Sequence, residues 1–205
     1  ILQALLSVGA IEDTGGKQFR LGPLIETLGR SRRGTRSLAE ICEGHLERLV
    51  DHTGQTSIFG KPDGDRFRIV TVVEGRGPLR VKAVPGSSIP LLAGVVGKIA
   101  MAWELVPIPA VLPRFTEDSV VDARALEKEL VQVRKETLAL DRGEYLRGVY
   151  AAASPILKED DVVGVLFSAG FQDQVGDEGL ISLGHAVVQA ASEVSKDLLD
   201  WSVET

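Results

Sequence analysis

The run Pro85-Gly86-Ser87-Ser88-Ile89-Pro90-Leu91-Leu92-Ala93-Gly94-Val95-Val96-Gly97-Lys98 passes from a turn straight into an apolar, glycine-studded segment, and this limits what the surrounding chain can become. Pro85-Gly86 sets a turn, and Pro90 disfavours the helical region for Ile89. The apolar residues from Leu91 onward include no side chain able to cap a first helical turn. A cradle helix is therefore expected over 92–103, with the backbone N–H groups near Gly94, Val95 and Val96 facing whatever lies in front of them. A helix N-terminus favours an anion. Two readings stay open at this point: a cradle for a small ligand, or a helix packed on a sheet whose first N–H groups bond to water.

Charge divides the chain. Of the formal net charge of -6, residues 1–36 carry +3, from Lys17, Arg20, Arg30, Arg32, Arg33 and Arg36 against Glu12, Asp13 and Glu26, and the remainder carries -9. A basic segment joined to an acidic globule points to an N-terminal piece that meets an anionic polymer such as DNA, while the bulk does something else. The alternative is a solvated basic linker. The single cysteine, Cys42, excludes an internal disulfide framework and fits a reducing cytosol. No apolar run approaches the ~20 residues of a membrane span, so no membrane partner is expected. The chain opens at Ile1, without methionine, inside the pattern of an amphipathic helix, which leads us to expect that something precedes it.

In the N-terminal segment Ile1, Leu2, Leu5 and Leu6 share one helical face, and Gly9 ends that helix. Ala10-Ile11-Glu12, the turn Asp13-Thr14-Gly15-Gly16 and the return run Lys17-Gln18-Phe19-Arg20-Leu21 read as a hairpin. Helix followed by basic hairpin is the plan of a winged helix-turn-helix, in which the wing touches phosphate. This makes Lys17 and Arg20 candidate DNA contacts. Gly22-Pro23 opens a further helix with Leu24, Ile25 and Leu28 as its apolar stripe, and the Arg-rich 30–36 stretch follows as a linker.

From Ser37, a candidate cap, Leu38, Ile41, Cys42, His45, Leu46, Leu49 and Val50 recur at helical spacing up to Gly54. Strands are predicted over 56–60, 66–73 and 79–84, an Asp122-capped charged helix to about Lys135, strands over 149–157 and 162–170 around the acidic turn at 158–161, and a closing helix over 177–201. The order β, β, β, α, α, β, β, α predicts an α+β domain with one antiparallel sheet.

Several segments carry a resemblance. Leu5-Leu6-Ser7-Val8-Gly9-Ala10-Ile11-Glu12, Phe19-Arg20-Leu21-Gly22-Pro23, Leu46-Glu47-Arg48-Leu49 with Thr53-Gly54-Gln55-Thr56, Val73-Glu74-Gly75 with Leu79-Arg80-Val81, and the stretch 86–98 occur in an order that resembles the IclR family of bacterial transcription regulators. Leu112-Pro113-Arg114-Phe115-Thr116, the 141–148 stretch with Glu144-Tyr145, and Ala152-Ala153-Ser154-Pro155-Ile156 continue it along essentially the whole chain. The resemblance implies the C-terminal part of a winged helix over 1–22, a linker helix and basic connector over 23–36, and a GAF-like effector-binding domain over 37–205. It implies a homodimer or dimer of dimers on double-stranded promoter DNA, without a cofactor. It also implies that residues 1–8 are the remnant of the DNA-reading helix.

By the same resemblance the effector lies between the cradle helix and the sheet. Backbone N–H groups of Val95 and Val96 would hold an anion, Asp141 would make the acidic polar contact, and Val81, Ile89 and Val149 would form apolar walls. Regulators of small oxo-acids place a cysteine and two serines where this chain has Ala151, Phe167 and Ala169, while Ser168 falls on the other side of its strand. That exchange favours an effector with an apolar or aromatic body. The loop 106–113 is shorter than the family's usual one.

Catalytic readings are weaker. Cys42, His45 and His52 recur along one helix as metal ligands could, yet the same positions form its apolar stripe, so no metal is expected. His185 is isolated. Ser154 precedes a proline in a strand with no base placed by motif. The charges of 127–135 read as a solvated helix face. A DNA-binding regulator, not an enzyme, is the expectation, with a GAF-like sensor acting outside transcription as the alternative.

Overall fold

The computed structural model describes residues 2–16, 18–25 and 37–203, and it divides into two units, Ile1–Glu40 and Ile41–Thr205. In the smaller unit, helix α1 (Leu2–Ser7) precedes the antiparallel strands β1 (Ile11–Gly15) and β2 (Gln18–Leu21). The turn is closed by Gly15 donating to Asp13 Oδ1 at 2.8 Å. Glu12 and Arg20 face each other across the ladder and pair, with Arg20 Nε donating to Glu12 Oε2 at 2.7 Å. Lys17 and most of the expected linker lie outside the described residues.

Helix α2 (Leu38–Thr53) begins with a reciprocal cap. The Ser37 hydroxyl accepts from the Glu40 N–H at 3.3 Å, and the Glu40 carboxylate accepts from the Ser37 N–H at 2.8 Å. The sequence Ser-x-x-Glu thus fixes where the helix starts. Ile41, Cys42, Leu46, Leu49 and Val50 are buried, as the spacing predicts. Burial pushes the Cys42 thiol up to about 12, which leaves it an inert core group. His45 departs from the apolar stripe expected of it. Its Nε2 meets Asp197 at 2.8 Å and its Nδ1 meets Arg48 at 2.8 Å, so it anchors a polar contact with the closing helix.

Among the described residues the larger unit builds one six-stranded antiparallel sheet, in the order β5-β4-β3-β8-β7-β6, from β3 (Thr56–Asp63), β4 (Arg66–Val73), β5 (Ser88–Pro90), β6 (Ala139–Arg142), β7 (Val149–Lys158) and β8 (Asp161–Phe171). Helix α3 (Gly94–Ala102) packs on one face, and α4 (Ala123–Glu136) packs on α3. Helix α5 (Gln172–Val203) lies against β7 and β8, with a non-helical break at Gly176. Side chains alternate between these faces. Ile58, Val165, Phe167, Ala169, Ala151 and Ala153 join the core cluster that contains Val95, Val96 and Ile99 of α3. Ser57, Phe59, Leu166, Ser168 and Ala152, one residue out of phase, are fully buried on the other side. There Ser57 and Ser168 join hydroxyls at 2.6 Å. Among the described residues no helix is long and apolar enough to cross a membrane.

The structure corrects the sequence reading in three places. Residues 79–84, expected as a strand, are irregular, and the third strand of that half is Ser88–Pro90, pairing with Arg66–Arg68. Their alternation does report one apolar face, since Val81 and Ala83 pack on the core cluster while Lys82 and Val84 are exposed. That face roofs a hollow, however, and does not continue a ladder. The segment is held by side chains: the Thr56 hydroxyl donates to the Val81 carbonyl at 2.6 Å, and Gln174 donates to the Leu79 carbonyl at 3.3 Å. Second, β6 was missed, because a four-residue strand containing Asp141 and Arg142 gives no hydrophobic signal. Third, the cradle helix starts two residues later than expected, at Gly94, and α5 starts earlier, at Gln172.

Candidate functional site

The hollow beneath 79–84 is a cavity of about 280 Å³ between α3 and the concave side of the sheet. Val81, Ile89, Val95, Val96, Asp141, Val149, Ala151, Phe167 and Ala169, the whole set singled out as effector contacts, line it together. Each element supplies its share through a simple rule. In β7, Val149 and Ala151 are two residues apart and point the same way; in β8, Phe167 and Ala169 do the same, and the register pairs Ala151 with Ala169. Ser168 points to the opposite face, as expected. The small side chains at 151 and 169 leave the space, and Phe167, edge-to-face with Phe67 at 6.0 Å, forms its aromatic wall.

At the polar end stands the start of α3. Ala93 is its N-cap, no side chain caps it, and Gly94 has φ +48. A Cβ at Gly94 would collide with Asp141 Oδ2, so glycine is required both by the left-handed backbone and by the closeness of that carboxylate. Gly97, one turn on, lets the helix approach the Leu92 backbone.

Asp141 is 4% exposed. Its Oδ1 accepts from the Glu144 N–H at 2.6 Å. Burial raises its pKa above the ordinary carboxylate value, partly offset by that backbone donor, by the charge of Lys98 and by the backbone N–H groups of Tyr145 and Gly143. Glu144 is likewise raised, chiefly by burial, with Lys98 opposing.

Sequence reasoning missed Lys98 as more than the end of the cradle motif. Its ammonium is buried among Glu129 Oε1 at 2.6 Å, the Leu140 carbonyl at 2.7 Å and Glu144 Oε1 at 2.7 Å, which uses all three of its donors. Lys98 thereby ties α3 to α4, to β6 and to the turn after β6, which carries the lining residues Tyr145 and Leu146. The same turn is clamped from the other side. The Thr116 hydroxyl meets the Gly143 carbonyl at 2.8 Å, the Ser119 hydroxyl meets the Glu144 carbonyl at 2.7 Å, and Phe115 stacks edge-to-face on Tyr145 at 5.2 Å. A signal was available in the sequence. One lysine inside the apolar run Val95–Met101 needs buried acceptors, because an unpaired ammonium there would be prohibitively costly.

Apart from Asp141, the polar side chains among the described lining residues are Lys82, Ser87 and Tyr145. Ser87 spends its hydroxyl proton on the Val84 carbonyl at 2.6 Å. The arrangement suits binding, not bond-breaking, since a largely apolar chamber meets one buried acid and one set of helix-end N–H groups. Among the described residues no group of histidine, cysteine and acidic side chains could hold a metal ion.

Comparison with known proteins agrees with this architecture. Residues 34–196 match the family described as bacterial transcriptional regulator IclR C-terminal. The HTH-type transcriptional regulator BhcR of Paracoccus denitrificans is 29% identical over 205 residues, spanning 95% of this chain and 73% of BhcR. The DNA-binding transcriptional repressor YiaJ of Escherichia coli is 26% identical over 208 residues, spanning 94% and 73%. The crystal structure of an IclR transcriptional regulator from Alicyclobacillus acidocaldarius matches with a TM-score of 0.74 at 24% identity, over 98% of this chain and 82% of that one, a likeness of fold.

Proposed function

Because the chain belongs to the IclR family of bacterial transcriptional regulators, we propose that residues 37–205 bind a small carboxylate-bearing catabolic metabolite with an apolar or aromatic body, and that this binding modulates the grip on promoter DNA. The family's role is transcriptional regulation, not catalysis, and DNA is the partner that role implies. The observation that carries the finer reading is the cavity itself. Its walls are Val81, Ile89, Val149, Ala151, Phe167 and Ala169, with polar groups only at one end and at the mouth. An apolar body would be desolvated against Phe167 and the two alanines, at about 25 cal/mol per Å² of buried surface. Its polar end would meet Asp141 and the N–H groups of Val95 and Val96.

In this reading residues 1–22 are the last part of the winged helix and residues 23–36 connect it to the effector domain. The regulator works as a homodimer or dimer of dimers, without a cofactor. Arg20 and Lys17 contact phosphate, and Arg20 exchanges its Glu12 partner for the DNA backbone. An effector acts only through a difference in its affinity for the DNA-bound and free arrangements.

A thermal-shift screen of aliphatic and aromatic carboxylic acids tests the proposal. A true effector at 100 times its Kd adds about 2.7 kcal/mol of stability and changes the affinity of the full-length regulator for its promoter. Stabilisation by glyoxylate or pyruvate in preference to aromatic acids would contradict the apolar-body reading. If the basic hairpin meets DNA, the double substitution Lys17→Ala, Arg20→Ala flattens the salt dependence of binding by up to about two in log–log slope.

A further inference from the structure

The polar end of the cavity already holds negative charge. Asp141 presses against Gly94, the first residue of α3, and so stands beside the helix end that would favour an anion. Behind it the buried ammonium of Lys98 is shared by Glu129 and Glu144, so it is outnumbered by the carboxylates around it. The remaining charged neighbours do not redress the balance. Arg142, next along β6, faces Asp177 at 3.6 Å, and Lys82 is exposed on 79–84 at the mouth, near Glu74. Tyr145 and Ser87 are uncharged. Ala151 and Ala169 offer no hydroxyl that could stand between an incoming carboxylate and Asp141. Two carboxylates brought into one buried site cannot both stay ionised, because the like charge raises the pKa of one until it takes a proton.

Resting on the effector reading above, we propose that Asp141 is the specificity-determining residue of the cavity, selecting effectors whose polar end donates a hydrogen bond: a hydroxyl, an amide, or a carboxyl group bound together with one proton. An acid effector enters as its carboxylate plus one proton taken from solvent. That proton lies between an effector oxygen and Asp141 Oδ2, while the second effector oxygen accepts from the N–H groups of Val95 and Val96. The bound state then holds one more proton than the separate partners, so affinity falls as pH rises. The raised pKa of Asp141 acts in the same direction, since burial already favours the protonated pair.

The test uses the full chain and matched probes: phenylacetate, 3-phenylpropionate and hexanoate, each with its amide and its alcohol. Calorimetric titrations run from pH 5.5 to pH 8, in two buffers of different ionisation enthalpy. For wild type we expect acid affinity to fall about tenfold per pH unit with uptake of one proton, and the amides and alcohols to bind without pH dependence. Asp141→Asn keeps an acceptor for the Glu144 N–H and supplies a donor to the cavity. It should therefore bind the dissociated carboxylates and lose the pH slope. Carboxylates that bind wild type equally well across the range, without proton uptake, would overturn this inference and leave the effector reading standing. A panel in which no probe binds either protein would overturn the effector reading, and this inference with it.

Discussion

The same strands present two unlike surfaces. On the side of α5, Ala152, Leu166 and Ser168 are all 0% exposed. On the side of α3, their neighbours Ala151, Phe167 and Ala169 are 7%, 7% and 5% exposed, and what touches them is a cavity. The ladder of β7 and β8 runs without interruption past both, from Val149 opposite Phe171 to Ile156 opposite Gly164. The difference therefore owes nothing to the backbone. Alternate residues of one strand face either the closely packed helix α5 or the cavity beneath α3, and what covers each face decides which one is solid.

Substitutions that should affect the two faces unequally put this comparison at risk. The largest effect is expected on the hollow side, where a buried ion cluster adds to the apolar core and fixes α3 to α4, β6 and the turn after it. Lys98→Ala leaves Glu144 and Glu129 without their ammonium and should cost about 3 kcal/mol of unfolding free energy. This is the low end of the range for a broken buried pair, since the Glu129 side chain is 33% exposed and can rehydrate. Chemical denaturation measures it, and a loss below about 1 kcal/mol would mean that the cluster behaves as an ordinary surface pair.

The next effect sharpens the contrast within a single strand. Ala152→Leu forces a larger side chain into the filled face and should destabilise by about 1–3 kcal/mol. Ala151→Leu, one residue away, extends into open space and should cost less than about 1 kcal/mol by the same measurement. Equal losses for the two variants would show that the cavity wall is as tightly packed as the far face.

Much of this was legible in the sequence, for reasons that can be located. The pair β7 and β8 announced itself as two apolar runs around the acidic turn at 158–161; the family resemblance singled out Ala151, Phe167 and Ala169, and the two-residue repeat of a strand put Ser168 on the other side. Ser37 and Asp122 announced their helices because capping is a local property, and Asp122 does accept from the Ala125 N–H at 2.7 Å. What was not legible depended on distant partners. The acceptors of Lys98 lie 31, 42 and 46 residues away, so no window of sequence reveals that the polar end of the cavity is acid-rich. Residues 79–84 carried a strand's alternation for a different reason, since one apolar face suffices to roof a cavity. Strand β5 was hidden by Pro90, which fits only because that strand lies at the sheet edge.

The central claim is that an effector occupies the space bounded by Ala151, Phe167 and Ala169. Calorimetric titration of the strongest binder from the carboxylic-acid screen into wild type and Ala169→Leu tests it most directly. The leucine overfills the site, and we predict a loss of roughly 1–3 kcal/mol in binding, a 5- to 150-fold weaker Kd, with folding stability and the promoter affinity of the effector-free protein nearly unchanged. An unaltered Kd in Ala169→Leu would contradict the account, because an effector indifferent to that side chain is bound somewhere else.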